Sequence, residues 1–132
     1  MANRLSHADI EAIIIKGDPE KLVDCAKTLG TALAKKGLTT SQIRNIFGTV
    51  REIEMKGFDK PAEQRKLILL KPKLAYVVGK ESRKDKKAVL QRLEQALSPA
   101  ISMVGRDETR FRNFFDFFEA ILAYHRAEGG KE

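Results

Sequence analysis

The sequence predicts an all-α protein, a compact bundle of about five helices with room for a short helix before them. Two observations predict this class: apolar residues recur at steps of three and four along most of the chain, and capping residues precede several of these stripes. A third is that no stretch shows the convincing alternation typical of a half-buried strand. With 132 residues, 42% of them apolar, the chain is expected to form a single domain over residues 1–132.

The N-terminal segment has the weakest helical pattern. Ser6 and Asp9 have capping-box spacing ahead of Ile10. The three isoleucines at 13–15 fit an extended segment equally well. We therefore expect residues 1–17 to be loosely attached to the bundle.

The first long helix is marked at both ends. Asp18 followed by Pro19 is typical of a cap and first turn, and Gly37 stands where a left-handed stop is expected. The pattern predicts a helix over about 19–36. Cys25 lies beside its apolar stripe without a neighbouring histidine, and we interpret it as a packed thiol and not a nucleophile.

A second capping box predicts the next helix. Thr39 and Gln42 have the required spacing, and an apolar wall then runs to a helix end near Gly57. Gly48 lies inside this helix, where glycine costs about 1 kcal/mol relative to alanine. It either allows another backbone to approach closely or is simply tolerated. The wall consists of Ile43, Ile46, Phe47, Val50 and Ile53.

Two further stripes contain a proline each. Pro72 removes one backbone donor and is expected to bend its helix, while Ser98 and Pro99 mark either a bend or a new helix start. A charged connection over 79–85 separates the stripes, and the cations at 83–87 are expected to form a mobile basic loop. The stripes are Leu67, Leu70, Leu74, Val77 and Val78, then Val89, Leu93, Leu97, Ala100 and Ile101.

The last helix opens at Asp107 and is rich in phenylalanine. Its rings cover more of the circumference than one neighbouring helix can bury, so Phe117 and Tyr124 either contact a protein partner or are buried within the chain. Residues 129–132 are expected to form a frayed tail. The predicted core rings are Phe111, Phe114, Phe115 and Phe118.

Positive charge is concentrated in the middle of the chain. The formal net charge is +7, and residues 56–92 carry 12 basic and 4 acidic side chains, a net of +8, so the remainder sums to −1. Such an asymmetry suits either a solvated face or a polyanion such as nucleic acid. The sequence has no apolar run long enough to cross a bilayer and no signal-peptide pattern, so we expect a cytoplasmic protein without membrane contact.

Two helix faces carry the candidate binding residues. At 100° per residue, one face near Pro72 combines cations with an aromatic ring, which suits phosphates and a stacked base. Arg44 and Arg51 share one side of the preceding helix, where they either bind phosphates or pair with Glu52 and Glu54. The face near Pro72 consists of Arg65, Leu69, Lys73, Tyr76 and Lys80.

No pattern of residues predicts catalysis. The chain has one cysteine and two histidines, and it has neither an HExxH motif nor a glycine-rich phosphate loop. We therefore expect a protein that is not an enzyme, with no metal site, no cofactor and no small-molecule substrate.

Three stretches in this order resemble the small subunit of type III-A CRISPR interference complexes. They are residues 38–47 (LTTSQIRNIF), 69–76 (LLKPKLAY) and 118–125 (FEAILAYH), and the match spans about residues 18–126. The resemblance implies a non-catalytic, all-helical subunit for antiviral defence, whose partners are guide RNA, target RNA, other subunits of the effector complex and further copies of itself. Such a subunit touches the sugar–phosphate backbone, while base pairing supplies sequence choice.

Carried onto this chain, the resemblance and the helix faces together select six nucleic-acid-binding residues. Lys71 is added to the set on the expectation that the Pro72 bend exposes it. Relatives often have arginine where Lys80 stands, so the charge is kept without a guanidinium fork. The six are Arg44, Arg51, Lys71, Lys73, Tyr76 and Lys80, and we expect them to converge on a single track.

Two alternatives stay open. Residues 38–44 also read as the turn and start of a recognition helix in a helix-turn-helix DNA-binding regulator, with Gln42, Arg44 and Asn45 able to meet base edges. The other alternative is a protein-interaction bundle whose charge only keeps it soluble.

Overall fold

A computed structural model describes residues 5–36 and 40–129, without the side chains of 40–42. All regular secondary structure in these ranges is helical, which confirms the predicted all-α class. Within these described ranges six helices follow one another, one short and five long. They are α1 (His7–Ile14), α2 (Pro19–Lys35), α3 (Thr40–Lys56), α4 (Pro61–Lys80), α5 (Lys84–Val104) and α6 (Glu108–Ala127).

Side-chain caps fix the start of three helices. The Ser6 hydroxyl accepts from the Asp9 amide at 3.1 Å, and the Asp9 carboxylate accepts from the Ser6 amide at 3.2 Å, so the first capping box is confirmed. Asp18 caps α2, and the Asp107 carboxylate accepts from the Arg110 amide at 2.9 Å to cap α6. The second capping box, Thr39 with Gln42, and the stop at Gly37 lie outside what the structure describes.

Helix α6 is the centre of the bundle, since it contacts α1, α2, α3 and α5. These four neighbours together bury all the phenylalanine rings of α6, and Phe117 is 0% exposed. Of the two alternatives for Phe117, internal burial is confirmed and contact with a protein partner is excluded. Tyr124 is half-buried and packs against the core.

Helix α2 crosses α6 at a glycine. A Cβ atom on Gly30 would lie 2.7 Å from the Ile121 carbonyl oxygen and 2.9 Å from the His125 amide nitrogen. The two backbones can approach this closely only because Gly30 has no side chain. Cys25 lies on another face of α2, near Asp9 of α1 and Ala96 of α5, and it is buried as predicted.

The N-terminal segment is part of the core. Ile13 and Ile14 are both 0% exposed, and α1 contacts α2, α5 and α6. The Asn113 side-chain amide donates to the Ile14 carbonyl at 3.0 Å, which ties the end of α1 to α6. The expectation of a loosely attached segment is wrong for residues 5–17, because isoleucines of α1 are buried against the longer helices.

Both internal prolines lie inside continuous helices. Helix α4 runs through Pro72, and α5 runs through Pro99, so no new helix starts at Ser98. Helix α5 begins at Lys84, so the cations that follow lie in its first turn and not in a mobile loop. At the C-terminus Gly129 has a φ of 95°, and residues 130–132, most of the predicted tail, lie outside the described ranges.

Helix α4 lies at the edge of the bundle. Within the described part of the chain it packs on α3 and α5 only. Its outer face leaves apolar and aromatic side chains in solvent: Tyr76 is 68% exposed, and Ile68 and Leu69 are nearly half exposed. This edge position makes the predicted binding face of α4 accessible.

Candidate nucleic-acid interface

Helix α3 separates two open grooves. The α3/α4 groove lies on one flank, and its α4 wall carries Lys73, Tyr76 and Lys80. The α3/α6 groove lies on the other flank and carries Arg44 and Arg51. The predicted binding residues of α3 and α4 therefore face two neighbouring grooves and not the single track expected from the sequence.

The α3/α4 groove combines an apolar floor with a cationic rim. Ile46, Leu70 and Leu90 form the buried floor. The ammonium nitrogen of Lys80 lies 5.3 Å from the centre of the Tyr76 ring, a distance at which the ring and the cation attract each other. Glu81 is the one carboxylate among the lining residues, against two lysines. The groove is therefore positive and presents an exposed aromatic ring.

The α3/α6 groove is lined by arginine. Arg44 and Arg51 line it from α3, and Arg126 lines it from the last turn of α6. Glu119 is the one carboxylate in the lining. Arg126 belongs to no pattern that the sequence singles out, because only the packing of α6 against α3 brings it beside Arg44. Guanidinium groups can bind phosphate oxygens through two parallel hydrogen bonds.

Lys71 lies apart from both grooves. Its ammonium donates a hydrogen bond to the Ser102 hydroxyl of α5, and the side chain is half-buried. The expectation that the Pro72 bend exposes Lys71 beside Lys73 is wrong, since Lys71 faces α5 while Lys73 faces α3. Arg65, which the sequence predicts to share the α4 face with Lys73, also lies outside both grooves. It is near the N-terminal end of α4, beside Arg106.

The acidic residues of α3 are used by other partners. Glu52 pairs with Lys66 of α4 at 3.5 Å, and Glu54 pairs with Arg112 of α6 at 3.1 Å. These pairs cross from α3 to its two neighbours and help to hold the walls of the grooves. No carboxylate in the described ranges forms an ion pair with Arg51, Lys73 or Lys80.

The remaining reactive groups considered in the described part of the chain are the Cys25 thiol and side chains that could ligate a metal ion. Burial raises the pKa of the Cys25 thiol to about 11, so the thiol is protonated near neutral pH and is a poor nucleophile. No three histidine, cysteine, aspartate or glutamate side chains of the described residues come together as metal ligands. None of the described helices is both long and apolar enough to span a membrane.

Comparison with known proteins assigns the chain to a family. Residues 16–131 match the family described as Csm2 Type III-A, which leaves only the first fifteen residues and the last one outside the match. No curated protein is similar enough in sequence to match the chain. Since the family match covers nearly the whole length, the chain belongs to the Csm2 family and is a subunit of a type III-A CRISPR effector complex, a system of antiviral defence.

Proposed function

We propose that this chain is a non-catalytic subunit that holds RNA by its sugar–phosphate backbone, without reading its sequence. The observation that carries the proposal is the α3/α4 groove, where Lys73, Tyr76 and Lys80 face an open cleft. Neither lysine is neutralised by an ion pair in the described ranges. The RNA ligands are the guide RNA and the target RNA of the effector complex.

The chemistry of the α3/α4 groove fits a ribose–phosphate chain. Lysine ammonium groups neutralise phosphates and release condensed counterions, which makes binding dependent on salt and tolerant of sequence. The exposed Tyr76 ring can stack on a base of any identity. The buried floor excludes water beneath the strand, so the charged contacts lie at the rim.

The α3/α6 groove adds a second set of contacts on the same strand. Arg44 and Arg51 are seven residues apart, two turns of α3, and lie about 10 Å apart along the helix axis. This spacing lets the two guanidinium groups hold different phosphates. Between them Gly48 leaves the outer surface of α3 without a side chain.

The proposed function also concerns partners and location. The other subunits of the effector complex and further copies of this chain are its protein partners, in a stack or a dimer. Tyr124 remains a candidate for such a contact because it is half-buried, whereas Phe117 is enclosed by its own chain. The chain acts in the cytoplasm, where RNA is encountered, and its own role uses neither a metal ion nor another cofactor.

A competition experiment tests the proposal. The full chain at low salt is bound to a fluorescein-labelled oligouridylate, and unlabelled random RNA or random duplex DNA is then added. We expect the RNA to displace the probe regardless of its sequence, and Lys73→Ala with Lys80→Ala to weaken probe binding. Lys16→Ala, an exposed cation outside both grooves, is the matched control.

Two outcomes would contradict the proposal. Much stronger displacement by duplex DNA than by random RNA would favour the helix-turn-helix alternative, in which Arg44 and Asn45 read base edges. Residues 37–39 of that predicted turn lie outside the described ranges. Absence of binding to any polyanion at low salt would leave a protein-interaction bundle.

A further inference from the structure

A further positive groove among the described helices does not involve α3. It lies between α2 and α5, and four of its lining residues are cations: Lys27, Lys35, Lys36 and Arg92. We call it the α2/α5 groove. Its lining contains no carboxylate, whereas each of the α3 grooves contains one.

We propose that the α2/α5 groove binds a second strand of RNA through its phosphates. The proposal rests on the proposed function, since it gives the same ligand class a second and separate surface. Neither the sequence patterns nor the family resemblance selects any of these four cations.

The arrangement along α2 fits a phosphate chain. Lys27, Thr31 and Lys35 follow one another at steps of four residues and share one face of the helix. The two lysines are eight residues apart, about 12 Å along the axis, so they can contact different phosphates of one strand. The intervening threonine supplies a hydroxyl, a common donor to phosphate oxygens.

The opposite wall supplies the fourth cation. Arg92 of α5 is half-buried, and Val89 beside it is one of only two apolar residues in the lining, the other being Ala32. Lys27, Lys35 and Lys36 are exposed, and no carboxylate forms an ion pair with them among the described residues.

An acidic protein surface is the competing occupant, and composition argues against it. Lysine is depleted in the cores of protein–protein interfaces, which favour aromatic and apolar residues. The α2/α5 groove has three lysines, two threonines and no aromatic ring. A chain of phosphates needs only the cations and hydroxyl groups that the groove presents.

The position of the groove favours a second strand over one longer track. Gly48 leaves the surface of α3 between its two grooves without a side chain, so one strand can cross there, whereas a strand would have to cross α5 to reach the α2/α5 groove. Helix α5 separates it from the α3/α4 groove: Leu90 lines the α3/α4 groove, while Val89 and Arg92 line the α2/α5 groove. Two phosphate chains can therefore lie on the two flanks of α5 without crossing it.

The test measures stoichiometry and salt dependence with the full chain and a short labelled oligouridylate. We expect two oligonucleotides per chain for the native protein and one for the triple variant Lys27→Ala, Lys35→Ala and Lys36→Ala. Removing three cations that neutralise phosphates should also reduce the slope of log affinity against log salt, measured on a long oligouridylate, by about 2. Lys16→Ala is the control, and circular dichroism checks that the variants fold.

The outcomes separate this inference from the proposed function. A stoichiometry of one for the native chain, or an unchanged slope in the triple variant, would overturn the second site while leaving the α3 grooves intact. If instead Lys73→Ala with Lys80→Ala has no effect and the triple variant abolishes binding, the α3/α4 groove loses its role and the α2/α5 groove keeps it. Loss of assembly with the other subunits, with RNA binding unchanged, would assign the groove to a protein and overturn the inference.

Discussion

Lys80 and Tyr76 form a cation–π pair at the rim of the α3/α4 groove, with 5.3 Å between the ammonium nitrogen and the ring centre. The two side chains are four residues apart on α4, so one helix turn positions both. The pair places a charge for phosphate beside a ring for a base. This combination is used by proteins that hold single strands without sequence preference.

The first prediction separates the ring from the hydroxyl group of Tyr76. Tyr76→Ala should weaken binding of oligouridylate about fivefold to thirtyfold, because stacking on one ring contributes about 1–2 kcal/mol. Tyr76→Phe keeps the ring and should bind nearly as well as the native chain. Fluorescence anisotropy at fixed salt measures both. Equal losses in the two variants would show that the hydroxyl group and not stacking is used.

The second prediction concerns the N-terminal helix. Ile13→Ala should lower the free energy of unfolding by about 2–4 kcal/mol, because Ile13 is 0% exposed and its removal leaves a cavity. Ile15→Ala is the matched control, since Ile15 is 39% exposed, and should change stability much less. Urea unfolding measures both. Similar small effects at the two positions would mean that α1 is detached in solution.

The sequence predicts where helices begin better than it predicts which side chains the neighbouring helices bury. Local signals such as Ser6 with Asp9, or Asp107, fix helix starts because they act within one turn. Pro99 is ambiguous in the sequence because a proline removes one local hydrogen bond, whereas buried side chains on both sides of it keep α5 in one piece.

Side-chain environment depends on how many helices surround each element, which periodicity does not reveal. Phe117 is enclosed because α6 has four neighbours, and Lys71 turns to α5 because Ser102 offers it a partner. The residues predicted from α4 include Lys73 and Lys80, which do share a groove. Arg51 is predicted to lie with them, but it lies on the other flank of α3, and only the packed bundle separates the two sites.

The third prediction compares two glycines in helices. A Cβ on Gly48 would meet nothing within 4 Å, so Gly48→Ala should raise the free energy of unfolding by about 1 kcal/mol through helix propensity alone. Gly30→Ala should lower it, because the added atom would lie 2.7 Å from the Ile121 carbonyl oxygen. Thermal unfolding of both variants measures the two signs. Destabilisation by Gly48→Ala would mean that the outer face of α3 is not open.

The fourth prediction is a pH dependence at the start of α1. The hydrogen bond from the Ser6 amide, with help from Lys21 at 3.2 Å, lowers the pKa of the Asp9 carboxyl in the folded chain. A lowered folded pKa stabilises the protein above the ordinary value of 3.8, and the stabilisation is lost as pH falls through the folded value. Asp9→Asn should therefore lower Tm near pH 6 and have progressively less effect below pH 3.8. A difference in Tm that does not change over this range would exclude the ionised carboxylate as its cause.

RNA binding by the grooves of α3 is tested most directly by the salt dependence of affinity for a long oligouridylate. Arg51→Ala combined with Lys73→Ala removes one cation from each groove. The slope of log affinity against log salt should then become shallower by about 1.4, which is about 0.7 for each phosphate that is no longer neutralised. Lys16→Ala should leave the slope of the native chain unchanged. If the double variant keeps the native slope, neither groove of α3 holds the phosphates of RNA.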